Sequence, residues 1–252
     1  MGYVVYSVKL GDNVYDIANE YKTSIERIIV SNPNINMYRM RPGAEIIVPV
    51  RNVVDTQVSY SSEILEKDIR NLKLIYPFLE VGEIGKSVLN KSLPYIKIGN
   101  GNKKVFYSAA FHANEWITSL VLMKFLEEYA KAFVENKNIF GHNAQALYYT
   151  TSLYIVPMVN PDGVDLVTGS IKNVEDAYKN AVQIVNNFPE IPFPDGWKAN
   201  INGVDLNLQF PAGWEQAKEI KFSQGYTMPA PKNYVGTTPI SEPESRAIYD
   251  FT

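Results

Sequence analysis

His112 and Glu115 are the residues whose types and spacing suit chemistry best in this chain. An imidazole nitrogen and a carboxylate oxygen are both good zinc donors, and two such groups three apart at the end of a strand can converge on one ion. H-x-x-E is a short pattern that also arises by chance. Its weight here comes from scarcity and place. The chain has only two histidines, and this one follows an apolar run, where open α/β sheets put their active sites. The other, His142, sits in a polar connection and reads as a solvated loop residue.

The elements that must position this pair flank it. Val105, Phe106, Tyr107, Ala109, Ala110 and Phe111 form a nearly continuous apolar run, which predicts a strand buried on both faces. Ile117, Leu120, Val121, Lys124, Phe125 and Tyr129 then recur at helical spacing, which predicts a helix over roughly 115–133. A second apolar strand, 152–159, runs into Asn160-Pro161-Asp162-Gly163, read as a turn that shapes a cleft wall. Ahead of these, Ser61-Ser62 caps a helix with Ile64, Leu65, Ile69, Leu72 and Ile75 inward. Segments 81–84 and 93–98 pair as an antiparallel hairpin at the sheet edge. A helix is expected over 174–187. The stretches 188–197 and 208–214 read as loop, and Ser241 as the cap of a helix starting at Ser-Glu-Pro-Glu. Asp205 and Asn207, polar beside apolar positions, suggest a satisfied network or a ligand contact.

Residues 3–50 form a separate unit by pattern: strand, Gly11-Asp12 turn, helix, second helix ended by Asn32-Pro33, then a strand over 45–50. Residues 51–60 read as a linker, and 61–252 as the larger domain. The whole is 252 residues, 46% hydrophobic and 20% charged, as in soluble globular proteins. A formal charge of −3 gives no electrostatic case for nucleic acid, and no apolar run is long enough to span a bilayer. There is no cysteine, so thiolate ligands and disulfides are excluded. The opening MGYVVYSVKLGDN lacks a basic start and apolar core, so no secretory signal is read.

The first unit, YSVKLGDNVYDIANEYKTSIERIIVSNPNI through MRPGAEIIVP, resembles a LysM module. That resemblance implies a small βααβ fold that binds N-acetylglucosamine-containing glycans, chiefly peptidoglycan and chitin. It carries the family's binding surface onto Gly11, Asp12, Asn32 and Pro33, which also read as turn and cap residues. In the larger domain HANEW, VNPDG, GVDLN and SEPES occur in the order found in the zinc carboxypeptidase family. The resemblance implies an α/β domain with a mixed, mainly parallel central sheet flanked by helices, and a Zn²⁺ ion held by His112 and Glu115. Lys198 takes the place of an arginine that polarises the scissile carbonyl, though as a point charge rather than a fork. Asn207 matches a substrate-binding asparagine, and Leu208 replaces the arginine that grips a terminal carboxylate. That departure argues against ordinary carboxypeptidase activity.

With the LysM module, the resemblance narrows to peptidoglycan endopeptidases that cut between D-glutamate and diaminopimelate. The family's third zinc ligand and its general base lie beyond the Ser-Glu-Pro-Glu helix, so the site is expected to be C-terminally incomplete, with self-association through an exposed sheet edge. The alternative is a cell-wall-binding protein with an inactive peptidase-like domain. The expected partner is peptidoglycan, with neither nucleic acid nor membrane. The expected location is cytoplasmic or associated with spore or cell wall.

Overall fold

A computed structural model of the chain describes residues 2–252. The first unit is β1 (Tyr3–Ser7), α1 (Val14–Glu20), α2 (Ile25–Ser31) and β2 (Glu45–Pro49), with β1 and β2 antiparallel. Its helices start where short polar side chains meet free N–H groups: Asn13 accepts from Asp16, and Ser24 from Arg27. Val14, Ile17, Ala18 and Ile28 pack with Ile46 and Val48 into a small core of their own. This is the expected βααβ order.

The larger unit continues with α3 (Ser62–Ile75), β3 (Glu80–Lys86), β4 (Ser92–Ile98), β5 (Lys103–Ser108), α4 (Ile117–Val134), β6 (Asn138–Ile139), β7 (His142–Asn143), α5 (Ala144–Thr150), β8 (Thr151–Val156), α6 (Pro161–Val167), α7 (Asp176–Val185), α8 (Trp214–Ser223) and α9 (Pro243–Phe251). The central sheet runs β3-β4-β8-β5. It is mixed: β3/β4 and β4/β8 are antiparallel, β5/β8 parallel. Parallel pairing is therefore less extensive among the described residues than the sequence suggested. Helices α3 and α4 bury Leu72, Ile75, Met123 and Leu126 against Ile96, Ile98, Leu153 and Ile155 on one face. On the other, Ile248 of α9 joins Val156, Val159 and Leu206. Among the described residues, no helix is long and apolar enough to cross a membrane.

Several sequence expectations change. β5 is not buried on both faces: it is an edge strand among the described residues, and Tyr107 is 50% exposed. Its apolar run reads as an inner strand, yet among the described residues β8 is its one sheet neighbour. Helix α4 buries the stripe through Leu120, Met123, Leu126 and Glu127, leaving Ile117 and Val121 outward. Asn160-Pro161-Asp162-Gly163 opens α6 rather than a plain turn, because the Asn160 side chain caps the Gly163 N–H and proline suits the first helical position. Ser241 does not cap α9. The cap position is Glu242, and the Ser241 hydroxyl turns to Gln209. Helix α8 begins at Trp214, the last residue of the stretch read as loop. His142 is exposed, as expected, in the two-residue pairing of β6 and β7. Residues 51–60 carry no helix or strand, yet Val54 and Tyr60 are buried in the core of the larger unit.

Candidate active site

The segment after β5 is held by backbone bonds to the end of β8. Ala109 N–H donates to Val156, and Val159 and Asn160 N–H donate back to Ala109 and Ala110. The buried Asn160 amide then ties Phe111 (3.1 Å) to Ala199 (2.9 Å) through their carbonyls. Asn160 thereby joins the end of the strand to the segment carrying Lys198. Ala113 and Asn114 N–H donate to Lys198 and Trp197, and Lys198 and Ala199 N–H donate to Pro231. A ladder of main-chain bonds thus sets three loops around His112 before any side chain is considered.

His112 lies between two carboxylates. Its Nδ1 is 3.1 Å from Glu115 Oε1, and its Nε2 is 3.2 Å from Asp205 Oδ1. The Lys198 ammonium stands 3.3 Å from the same Glu115 oxygen. Asp205 is buried and further satisfied by the N–H groups of Asn233 (3.0 Å) and Asn207 (3.3 Å). The hydrogen bond to Asp205 raises the imidazole above its usual pKa, against the opposing effect of burial. Burial pushes the Asp205 carboxyl up, but the bonds from His112, Asn233 and Asn207 outweigh it and hold the group below its usual value.

The two edges of the ring therefore have different surroundings. The Nδ1 edge and Glu115 share an accessible side, because Glu115 and Lys198 are partly exposed. The Nε2 edge is closed by a buried acid. An imidazole whose second nitrogen is fixed by a carboxylate presents its first nitrogen in a set orientation, the usual arrangement for a metal-binding histidine. His112 and Glu115 fit two positions of a zinc site in chemistry and placement. Among the described residues, no group of three or more His, Cys, Asp and Glu side chains is arranged to hold a metal. A catalytic zinc takes three protein donors, and His112 and Glu115 are of the right type for two.

Of the residues singled out from sequence, the fold brings together His112, Glu115 and Lys198. Asn207 is exposed and Leu208 half-buried on a 3₁₀ turn, Leu206–Leu208, that begins next to Asp205. Asp205 as the partner of His112 was visible only as a polar residue of unassigned purpose, since the two stand 93 positions apart. In the first unit, Gly11 and Pro33 are exposed, and Gly11 has φ +92° with nothing near a would-be Cβ. Asp12 accepts from the Tyr6 hydroxyl and the Lys9 N–H, both at 2.7 Å. Asn32 is buried: its amide donates to Ile28 and Ile47 and accepts from the Ile47 N–H, each at 2.8 Å.

Residues 65–252 match the family model described as zinc carboxypeptidase. The chain belongs to that family. As a zinc carboxypeptidase-family chain it also carries a LysM domain, matched over residues 6–49. It is 44% identical over 200 residues to gamma-D-glutamyl-L-diamino acid endopeptidase 1 of Lysinibacillus sphaericus, covering 79% of this chain and 49% of that protein. It is 41% identical over 202 residues to the uncharacterised protein YqgT of Bacillus subtilis, covering 78% and 51%. The chain spans about half the length of the curated relatives it matches. Among solved structures, carboxypeptidase A from Helicoverpa armigera matches with a TM-score of 0.52 at 20% identity, covering 99% of this chain and 66% of that one. Bovine thrombin-activatable fibrinolysis inhibitor matches with 0.54 at 22%, covering 78% and 56%. These likenesses support the fold.

Proposed function

We propose that this chain is the LysM-bearing part of a zinc-dependent peptidoglycan endopeptidase that hydrolyses the γ-D-glutamyl–diaminopimelate bond of stem peptides. The observation that carries the reading is the oriented pair at the end of β5: His112 with Nε2 held by Asp205 and Nδ1 beside Glu115. The identity to an endopeptidase of γ-D-glutamyl-L-diamino acids supports the substrate class, and the LysM domain supports delivery to the glycan.

His112 and Glu115 would hold the zinc, whose chemistry in such sites is to acidify a bound water near neutral pH. Lys198, beside Glu115, supplies positive charge on the accessible side of the site and would polarise a scissile carbonyl there. Asn207 offers an exposed amide to a substrate backbone, and Leu208 offers no charge to a terminal carboxylate. That suits an internal bond rather than removal of a C-terminal residue. On the LysM unit, Gly11 and Pro33 keep open surface. Tyr15 and Tyr38, 55% and 65% exposed with ring centroids 6.4 Å apart, add aromatic faces of the kind sugars stack on.

One observation favours a second reading. The described residues bring only two zinc donors together, as in a wall-binding protein whose peptidase-like domain is inactive. Zinc stoichiometry on the 252-residue chain after dialysis against a weak chelator separates the two. One zinc per chain, together with release of diaminopimelate-containing fragments from sacculi, supports the endopeptidase. Sacculus binding without zinc or release by a chain extended to the length of these relatives supports the binding protein.

A further inference from the structure

Two-domain chains usually keep relative motion unless the interface is large and apolar or tied by specific bonds. Here the connection between the LysM unit and the larger domain is tied at several points. Glu127 of α4 is buried in the core of the larger domain, and its carboxylate accepts the N–H groups of Val53 (2.5 Å) and Val54 (3.3 Å). Lys124 closes the charge at 3.1 Å. Further along the same segment, the buried Tyr60 hydroxyl donates to buried Asp68 at 2.9 Å. Residues 51–60, read from sequence as a linker, are thus anchored near both ends.

The folded modules also touch directly. The Ser31 hydroxyl, at the end of α2, donates to the Ile75 carbonyl at the end of α3 (2.8 Å). Tyr3 and Val30 pack on the core of the larger domain. Arg27 of α2 is also buried, with one guanidinium nitrogen donating to Thr23 of its own unit at 3.4 Å. A buried hydrogen bond and apolar packing between the two units favour one docked arrangement over many.

We infer that the LysM unit is a fixed part of the peptidase body, clamped by Glu127 and Ser31, rather than a binding module on a flexible tether. Its partner surface is the α3–α4 face of the same chain. Resting on the proposed function, the consequence is that a glycan strand held by the LysM unit sits at a set position relative to His112, with no linker to average over.

The test is backbone ¹⁵N relaxation on the full chain. One rotational correlation time shared by residues 3–50 and 61–252, with rigid amides through 51–60, is expected. A several-fold shorter time for residues 3–50 overturns the inference. In Glu127→Ala the segment 51–60 should become mobile and the LysM unit should tumble faster, and an unchanged spectrum removes Glu127 from the clamp. Ser31→Ala carries the same comparison if Glu127→Ala does not fold, because it removes the direct bond to Ile75 from outside the core of the larger domain. The readout needs neither zinc nor glycan. A shared correlation time in a chain that fails to bind sacculi would sink the proposed function while leaving the clamp in place.

Discussion

Asp205 Oδ1 lies 3.2 Å from Nε2 of His112, on the edge of the ring away from Glu115. One nitrogen is committed to a buried acid, so the other is presented in one orientation beside a carboxylate. Replacing Asp205 with alanine should weaken zinc retention by about 10–100-fold, the usual cost of losing a histidine's outer partner. Competition against a chelator of known affinity reads this directly. Retention equal to that of the parent chain would show that Asp205 does not orient the ring.

Glu244 lies fully buried at the start of α9, accepting from the Val88 N–H (3.1 Å) and the Asn200 amide (3.3 Å). Burial pushes its carboxyl up to about 7, with the bonds from Val88 and Asn200 opposing and Asp162 adding to the rise. A raised acid binds its proton more tightly when folded. Its contribution is therefore complete below the unfolded value near 4.5 and is lost as pH rises through about 7. The span corresponds to about 3 kcal/mol at most. Urea unfolding across that window should show stability falling with pH, and Glu244→Gln should flatten the fall. Asp68, pushed up to about 6 mainly by burial, acts in the same sense, so the difference between the two proteins isolates Glu244. Parallel curves for both would refute the assignment.

Within the LysM unit, stability and binding should separate. Asn32→Ala strands the Ile47 N–H and two carbonyls, and should cost about 2–3 kcal/mol of stability. Tyr15→Ala and Tyr38→Ala remove exposed rings, so stability should move by less than about 0.5 kcal/mol. Their effect should appear instead as lost retention on purified sacculi. Full retention by the tyrosine double variant would move the glycan surface elsewhere.

The edge of β5 makes a prediction about assembly. β5 is hydrogen-bonded to β8 on one side, and among the described residues no strand lies on the other. Tyr107, Ile117, Val121 and Phe140 are exposed beside it, and an unprotected edge with apolar neighbours invites pairing. Sedimentation velocity of this chain should show concentration-dependent association, reduced by Tyr107→Lys. A monomer at every concentration would count against pairing through that edge.

Local physics was legible in the sequence. Short polar residues mark the helix starts, Asp12 or Asn13, Thr23 or Ser24, and Ser61-Ser62, and the fold uses Asn13, Ser24 and Ser61 as the caps; the βααβ order follows from such caps and periodicity alone. The His112-x-x-Glu115 pair was visible because its spacing is short and its place is set by the strand before it. What only the tertiary structure decided involves partners far apart in the chain. Asp205 meets His112 only once the 200–208 segment folds over β5, and no periodicity encodes that contact. Asn32 reads from sequence both as a cap and as a binding-loop residue, and only the fold shows its amide bonded to Ile28 and Ile47 inside the module. Val105 to Phe111 looked like an inner strand, yet composition cannot report which edge of a sheet has a neighbour. Residues 51–60 read as a linker, whereas the buried carboxylates Glu127 and Asp68 on two helices of the larger domain hold them near both ends. Caps and periodicities are written in neighbouring residues; burial, edges and long-range acid partners arise only when the chain closes on itself.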